Sequence, residues 1–275
     1  MKKLFLSLFV LIITISAFSQ QVSRQRVIIE NFTADWCGWC PSAHQGIEDL
    51  IANGYDVAPI AYHVGGDPFQ TAATSYRNNY YGVGGIPHSQ FDGVLEAVGG
   101  STSGTTYGTY LPLVQNRLAI PCDYTMSIYG QNNGLDYDIS VVLDLENGTP
   151  PNDLTLHFVL CEDHIPYVWQ GQPECRWVCR EMYPDHLGTD IDFAGGNQLI
   201  FNYSFTIDPT WTADNLEFTA FLQNEADKEI LQGNWVPKPD LIPFQATANF
   251  SCSNTQPCDG TTVDFYDESM GIITS

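Results

Sequence analysis

The chain has 275 residues, of which 44% are hydrophobic and only 15% are charged. This is enough apolar material for the cores of two ordinary domains, and it excludes a disordered or collagen-like chain. The 32 acidic and 10 basic side chains give a formal net charge of -22. Nucleic acids and anionic membranes attract basic surfaces, so this charge argues against either as a partner.

The first 19 residues have the layout of a secretory signal peptide. Two lysines precede an apolar stretch from Leu4 to Ala17, and Ser19 supplies a small residue at the expected cleavage point. A membrane-spanning helix needs about 20 apolar residues, and this stretch is shorter. We therefore predict that residues 1–19 are removed, that the mature chain has no transmembrane helix, and that the protein is exported to the periplasm, the outer-membrane surface or the medium.

Export changes how the eight cysteines are interpreted, because disulfides form and persist outside the cytosol. Cys37 and Cys40 form a C-x-x-C motif and stand apart from the others. The remaining six are structural disulfide candidates whose connectivity the sequence does not give. They are Cys122, Cys161, Cys175, Cys179, Cys252 and Cys258.

Residues 26–120 alternate strand and helix signals, which indicates one small α/β domain. Pro112 is expected to kink the last helix or to mark its first turn. Strands are predicted over Val27–Phe32, Val57–Val64 and Ser89–Val94, and helices over the segment from Pro41 to Asn53, over Asp67–Tyr81 and over Tyr107–Leu118.

Residues 121–238 show the period-two alternation of strands buried on one face, for example over Leu135–Leu145 and Leu199–Ile207. Asn133-Gly134 is typical of a hairpin turn, and several such strands predict an antiparallel sandwich. His157 falls on the polar side of its strand and is predicted to be solvated.

A long insertion rich in aromatic residues and cysteine lies between Asp163 and Gly196 and also carries Arg176 and Arg180. One interpretation makes it an edge that docks onto the α/β domain or onto a partner. The other makes it a disulfide-stapled loop whose arginines pair with Glu174 and Glu181.

A proline-rich linker separates the sandwich from residues 243–275, which contain two strand-like pieces, Ala246–Ser251 and Thr262–Tyr266. A segment of this length cannot bury a core of its own. It is either a tail docked on the sandwich or, as we favour, the beginning of an incomplete third domain.

The strongest chemical signal is the motif Trp-Cys-Gly-Trp-Cys, which lies between a predicted strand and a predicted helix. A helix N-terminus stabilises a thiolate, so Cys37 is the expected nucleophile and Cys40 the cysteine that resolves a mixed disulfide. A zinc site would need a second cysteine pair or paired histidines, which this domain lacks. A purely structural staple stays open.

With Gly85-Ile86-Pro87 downstream, this motif resembles the thioredoxin superfamily. The resemblance implies that Pro87 is cis and lies against the active-site sulfurs, and that the backbone of Ile86 contacts an incoming peptide; the alternative is an ordinary trans proline in a turn. Cys37, Cys40 and Pro87 are thus the candidate catalytic residues. The candidate substrate-binding residues are Trp36, Trp39, Ile86 and His88.

One departure from that family concerns the buried acid that assists proton transfer, because Asn31 stands at its position. The neighbouring Glu30 should point to the other face of the strand. Cys37 would then depend on the helix terminus and on His44 or His88. Two other interpretations of His88 are a metal ligand beside the two cysteines and a plain surface histidine.

Over residues 26–236 the chain also resembles a narrower family, the outer-membrane-antigen family of Gram-negative surface proteins. The resemblance rests on the segments ENFTADWCGWCP, GIPHSQFDG, HFVLCEDHIP, REMYPD and LEFTAFLQNEADKEILQ. It implies an α/β thioredoxin-like domain followed by an all-β immunoglobulin-like sandwich. The tail is similar to the opening of a PKD-type repeat, which would be a truncated third β domain.

These observations lead to two main functional hypotheses. The first is an exported thiol–disulfide oxidoreductase that acts on protein or peptide thiols and disulfides without a cofactor. The second is a non-catalytic surface-binding or adhesion protein, attached to the outer membrane or cell surface, in which Cys37–Cys40 is a permanent staple. A third and weaker hypothesis is metal handling by Cys37, Cys40 and His88.

Overall fold

A computed structural model of the protein describes residues 20–245 and the backbone of two further strands. The predicted signal peptide and most of residues 243–275 lie outside the described residues. The first half contains β1 (Val27–Thr33), α1 (Cys40–Ala52), β2 (Val57–His63), α2 (Ala72–Tyr81), β3 (His88–Phe91), β4 (Leu95–Val98) and α3 (Tyr107–Leu118). The second half contains β5 (Tyr124–Asn133), β6 (Asp136–Leu145), β7 (Leu154–Glu162), β8 (Val178–Tyr183), β9 (Thr189–Ile191), β10 (Gln198–Thr206), β11 (Leu216–Asn224) and β12 (Ile230–Pro237), followed by β13 (Phe250–Cys252) and β14 (Phe265–Asp267).

The first half has a thioredoxin-like fold, as the motifs imply. Its strands lie in the order β2-β1-β3-β4, with β1 parallel to β2 and antiparallel to β3. One apolar cluster, which includes Ile29, Ile47 and Val114, joins the sheet to α1 and α3. A second cluster, which includes Ile28 and Ala73, joins the other face of the sheet to α2. Each residue of β1 therefore faces one of two separate cores.

The helices follow local signals in the chain. Pro41 lies in the first turn of α1, where its missing N–H costs nothing, and the chain turns at Gly54, whose φ is 78°. The second helix begins at Ala72 and not at Asp67, because Thr71 and Thr74 form a reciprocal capping box. Pro112 lies inside α3, which is one helix from Tyr107 to Leu118.

The second half stacks two sheets. Gly134, with a φ of 64°, turns the β5–β6 hairpin, and the three-stranded sheet β10-β6-β5 lies over β7 and β11. Their shared core contains Tyr137, Leu156, Phe158 and Phe218. The period-two segments Leu135–Leu145 and Leu199–Ile207 therefore form strands β6 and β10, as predicted.

One sheet of nine strands runs through both halves, in the order β12-β11-β7-β8-β2-β1-β3-β4 with β9 also on β7. The joint is the parallel pairing of β8 with β2, where the N–H of Ala61 donates to the carbonyl of Trp177 at 2.8 Å. Strand β8 belongs to the insertion that the sequence showed after Asp163. The predicted ranges 26–120 and 121–238 thus share a sheet.

The prediction that His157 is solvated is wrong. Strand β7 lies between β11 on one side and β8 and β9 on the other, and all of its residues are buried. The imidazole of His157 packs against the ring of Phe221, with centroids 4.9 Å apart. Burial of both faces removes the alternation that would distinguish an inward position from an outward one.

The disulfides predicted among Cys122, Cys161, Cys175 and Cys179 are not formed, since all four are buried free thiols. The thiol of Cys122 donates to the carbonyl of Leu231 at 3.0 Å, so it has a partner other than sulfur. Cys161 and Cys179 are register partners on β7 and β8, whereas Cys175 lies in a different apolar cluster. The predicted Cys252–Cys258 pairing lies outside the described side chains. Strands β13 and β14 form an antiparallel pair within the predicted third domain.

Candidate redox site

Cys37 and Cys40 are joined by a disulfide with a Cα–Cα distance of 5.5 Å. The helix α1 begins at Cys40, and Cys37 lies in the turn just before it, where its carbonyl accepts from the N–H of Cys40 at 3.2 Å. Cys40 is fully buried and Cys37 is 5% exposed. Of the two sulfurs, Cys37 is therefore the one nearer to solvent, although little of its surface is accessible.

Asp67 holds the turn that carries the motif. Its buried carboxylate accepts from the backbone N–H of Asp35 at 2.6 Å and from that of Phe69 at 2.7 Å. A third contact, at 2.8 Å, comes from Nδ1 of His63 on β2. Burial alone would raise the pKa of Asp67, but the hydrogen bonds and the charge of His63 outweigh it and lower that pKa. An ionised Asp67 thus fixes the backbone two residues before Cys37.

The Ile86–Pro87 peptide bond is cis, as the resemblance implied. The carbonyl oxygen of Ile86 lies 3.8 Å from Sγ of Cys37. The carbonyl of Pro87 accepts from the N–H of Gly99 at 2.8 Å, which ties this loop to the end of β4. Ile86 and Pro87 therefore lie beside the disulfide.

The two tryptophans of the motif are large exposed side chains beside a buried disulfide. Trp36 is 55% exposed and Trp39 is 54% exposed. The ring of Trp36 lies against Gly65, where an added Cβ would come within 2.7 Å of it. The carbonyl of Trp39 lies similarly close to Gly100. Glycine at these two positions allows the motif to pack closely against neighbouring backbone.

The structure gives His88 partners other than the disulfide. His88 is buried, so it is not a surface histidine, and its Nε2 lies 3.2 Å from Oε2 of Glu96 and 2.8 Å from the Gln90 amide. Burial lowers its pKa, against the opposing effect of Glu96. In α1, Nε2 of His44 lies 3.5 Å from Oε1 of Glu48. The recorded polar contacts of both histidines are thus to groups other than the two sulfurs.

Asn31 and Glu30 point to opposite faces of β1, as predicted. The Asn31 side chain accepts a hydrogen bond from the hydroxyl of Ser89 at 3.0 Å, on the face that carries α3. Glu30 forms a fully buried ion pair with Arg77 on α2, at 2.6 Å. Glu30 therefore cannot supply the carboxylate that the thioredoxin superfamily has at the position of Asn31.

Sequence reasoning missed the residues that cover the site from the second half of the chain. We call residues 163–177, between β7 and β8, the cap loop. The hydroxyl of Tyr167 donates to the carboxylate of Asp35 at 2.7 Å, and the amide of Gln170 donates to the carbonyl of Asp35 at 3.1 Å. Trp169 and Cys175 share a buried cluster with Cys37 and Cys40. The aromatic, cysteine-rich composition allowed the docking interpretation, but nothing in it indicated that the loop lies over the disulfide.

The arginines of the insertion support its docking interpretation. Arg176 binds Asp163 within the loop and reaches Glu48 on α1 at 2.9 Å, and only a 3.8 Å contact joins it to Glu174. Arg180 binds Glu162 at 2.7 Å, and not the predicted Glu181. The insertion is therefore attached to the thioredoxin-like half by an ion pair as well as by the sheet.

Two further features are absent from the described residues. No cluster of three His, Cys, Asp or Glu side chains there is arranged to hold a metal ion. Among the same residues, no helix is both long and apolar enough to cross a membrane.

Two solved structures from Porphyromonas gingivalis resemble the chain. HBP35 is 14% identical, with a TM-score of 0.68 over 90% of this chain and 87% of its own. A domain of the outer membrane lipoprotein Omp28 is also 14% identical, with a TM-score of 0.34 over 45% of this chain and 92% of its own. No family model and no curated protein matches the chain. At such identity the likeness to HBP35 supports the fold alone.

Proposed function

We propose that this protein is an exported thiol–disulfide oxidoreductase whose reactive group is Cys37. The observation that supports it best is the Cys37–Cys40 disulfide at the start of α1, with the carbonyl of Ile86 and the cis Pro87 beside it. Protein or peptide thiols and disulfides are the proposed partners. Trp36, Trp39 and Ile86 are the proposed contacts to the substrate.

The proposed reaction balances without a cofactor. In the reduced protein, the Cys37 thiolate attacks one sulfur of a substrate disulfide, forms a mixed disulfide and releases the other sulfur as a thiolate. The Cys40 thiolate then attacks Cys37, restores the Cys37–Cys40 bond and releases the second substrate thiol. The substrate gains two electrons and the protein loses two. The reverse sequence oxidises a substrate dithiol.

The N-terminus of α1 can stabilise a thiolate. The first turn carries no acidic side chain, and Trp39 makes no side-chain cap, so a thiolate at Cys37 would lie at the positive end of the helix dipole without a competing carboxylate. Negative charge is favoured at such a terminus by about 0.3–1 kcal/mol at an exposed site and more when partly buried. This effect would stabilise a Cys37 thiolate in the reduced protein without help from a lysine or a histidine.

The proposed location is the cell envelope or surface, after removal of residues 1–19. The stacked sheets of the second half are proposed to be an immunoglobulin-like module, and residues 243–275 the beginning of a PKD-type repeat. One observation favours the alternative, a binding protein with a permanent staple. Asn31 accepts a hydrogen bond from Ser89 and has no proton to exchange with Cys40.

Trapping of the mixed disulfide tests the proposal. Reduced Cys40→Ser is mixed with a peptide disulfide, and the intact mass of the protein is measured. We expect an adduct of one peptide chain at Cys37, because the resolving thiol is gone. Cys37→Ser is the matched control and should form no adduct at Cys40, which is fully buried. Absence of an adduct on Cys40→Ser would refute the proposed activity.

A further inference from the structure

The cap loop is a built element and not a loose connection. Its neck is closed by two backbone hydrogen bonds between Ile165 and Cys175, each of 2.9 Å. Nearer the tip, Trp169 and Gln172 exchange a second pair, at 3.0 and 2.6 Å. The indole N–H of Trp169 donates to the carbonyl of Glu174 at 2.9 Å. The loop therefore holds its own shape before any contact with the redox site is counted.

Left-handed backbone is concentrated in this loop. His164, Gln170 and Trp177 have φ values of 51°, 42° and 53°, and they are three of the six non-glycine residues with positive φ in the described chain. Such conformations are unfavourable for residues other than glycine and cluster at functional sites, where surrounding contacts enforce them. Here the contacts of Gln170 with Asp35 and of Trp177 with the Ala61 backbone enforce two of them.

The loop forms one wall beside the disulfide. Tyr167 and Gln170 both bind Asp35, two residues before Cys37, and Trp169 packs in the same buried cluster as the two sulfurs. Cys37 is 5% exposed as a result of this packing and of its position against Ile86. A substrate must therefore enter between the cap loop and the segment around Pro87.

The segments on either side of that entrance carry exposed apolar side chains. Val168, at the tip of the cap loop, is 79% exposed, and Trp36 and Trp39 are each more than half exposed. Val98 is also exposed and precedes Gly99, which is hydrogen-bonded to Pro87. These four residues come from the cap loop, from the C-x-x-C motif and from the strand next to the Pro87 segment. Clustered exposed apolar residues mark surfaces that bind other molecules.

The net charge of the chain affects which peptides approach the site most readily. The chain carries a formal charge of -22. Of the two lysines in the described part, Lys228 donates to the carbonyl of Tyr80 and Lys238 to the carboxylate of Asp214. The nearest arginines, Arg176 and Arg180, are paired with carboxylates. A negative field of this kind attracts basic partners and slows the approach of acidic ones.

We propose that the cap loop and the exposed tryptophans form a docking groove that selects extended, basic polypeptide segments with an apolar residue beside the reactive cysteine. This inference rests on the proposed function, since it names the substrate class of that site. An extended segment suits this site, because Cys37 is only 5% exposed and lies between the cap loop and Ile86. The second half of the chain thus supplies specificity to chemistry located in the first.

The test uses the reduced full-length protein and two peptides, each joined through its cysteine to a chromogenic thiol by a mixed disulfide. The rate at which the chromogenic thiol is released is measured. One nonapeptide flanks its cysteine with leucine and lysine, and a second flanks it with serine and aspartate. Oxidised glutathione serves as a small probe that needs no groove. The variant is Val168→Ser, and Leu187→Ser is the control, because Leu187 is 58% exposed and lies beyond the opposite end of β8.

We expect the leucine–lysine peptide to react about tenfold faster than the serine–aspartate peptide at low salt, with the difference falling as salt is added. Val168→Ser should slow the leucine–lysine peptide about threefold, since it removes part of the apolar contact, and leave glutathione and the second peptide unchanged. Leu187→Ser should behave as the parent protein does.

Equal rates for the two peptides, or the same rates for Val168→Ser and Leu187→Ser, would overturn the docking groove and leave the redox chemistry standing. Failure of the reduced protein to react with any of the three disulfides, including glutathione, would overturn the proposed function together with this inference.

Discussion

Glu30 and Arg77 form the most completely buried ion pair in the described residues, since neither side chain is exposed. The guanidinium donates to Oε1 of Glu30 through Nε at 2.8 Å and to Gln223 at 3.0 Å, while Tyr81 donates to the second carboxylate oxygen at 2.5 Å. Buried charges require this degree of satisfaction, because removal of one partner leaves the other without compensation. The pair joins β1, α2 and β11 at one point.

Arg77→Met should lower the free energy of unfolding by about 3–5 kcal/mol, because the Glu30 carboxylate is then buried without its cation. Urea denaturation followed by tryptophan fluorescence measures the change. Lys238→Met, which breaks an exposed pair with Asp214, is the control and should cost less than about 1 kcal/mol. A loss for Arg77→Met as small as that of the control would contradict the role given to the pair.

Glu217 makes the free energy of unfolding depend on pH. It is buried, one carboxylate oxygen has no hydrogen-bond partner, and burial together with the nearby Asp163 raises its pKa from 4.5 to about 8. The folded protein therefore holds this proton more tightly than the unfolded chain. The resulting stabilisation is complete below about pH 4.5 and is lost as the pH rises toward 8.

Glu217→Gln should make the loss of unfolding free energy between pH 5 and pH 8 smaller than in the parent protein. Denaturation at the two pH values measures that loss in both proteins. Asp240→Asn, at an exposed position, should leave it unchanged. An identical pH dependence in the parent protein and in Glu217→Gln would show that Glu217 does not hold the proton.

Some site residues were predictable because their chemistry is local in sequence. Cys37, Cys40 and their helix are contiguous, and Pro87 follows two glycines before a strand. The contact of Tyr167 with Asp35 joins residues 132 positions apart, and neither residue type signals it. The same holds for Arg176 and Glu48, since a surface arginine has many carboxylates to choose from in so acidic a chain.

At the scale of elements, α1 and α3 approach each other closely at Gly46. A Cβ at this position would lie 2.1 Å from Oγ1 of Thr106 and 3.0 Å from the N of Tyr107. Thr106 in turn donates its N–H to the carbonyl of Ser42 at 3.0 Å. Glycine therefore allows α3 to start directly against the helix that carries the disulfide.

Gly46→Ala should destabilise the protein by about 1–3 kcal/mol through this steric conflict, although alanine is the better helix former. Gly108→Ala, in α3, meets no atom within 4 Å and should instead stabilise it by up to about 1 kcal/mol. Thermal unfolding of the two variants gives the signs. Stabilisation by Gly46→Ala would mean that the two helices are farther apart than described.

The facing of side chains was predictable in strands with one exposed face, but it was not predictable in β7, which is buried on both faces. Apolar and polar residues alternate along β6 and β10, so the sequence itself shows that these segments are strands. Apolar and polar residues do not alternate regularly in β7, because both faces of the strand are covered. The sequence therefore led to the wrong prediction that His157 is solvated. Strand β8 contains Arg180 and Glu181 and pairs with β2 through one residue, so nothing local marked it as the joint between the halves.

At the scale of the whole molecule, a second buried network supports the continuous sheet. Arg24 and Arg117 both bind Oδ2 of Asp92, at 3.0 and 2.9 Å, and Oδ1 of Asp92 accepts from the N–H of Ile28. Arg117 also reaches Glu229, just before β12, at 2.5 Å. Arg117 therefore joins Asp92 of the first half to Glu229 of the second.

Because the halves share a sheet and this network, we expect residues 20–245 to unfold in one cooperative transition. Far-ultraviolet circular dichroism and tryptophan fluorescence should give the same urea midpoint, and Asp92→Asn should lower both together. Two resolved transitions, or a variant that shifts one probe alone, would mean that the halves fold separately.

The central claim is that the Cys37–Cys40 pair is redox-active, and its reduction potential tests it most directly. The mature protein is equilibrated in graded glutathione buffers, and free thiols at the two positions are counted by mass, with Cys37→Ser as the control. We predict a midpoint between about -270 and -120 mV, the range of working oxidoreductases. A value below about -300 mV belongs to structural disulfides and would contradict the claim.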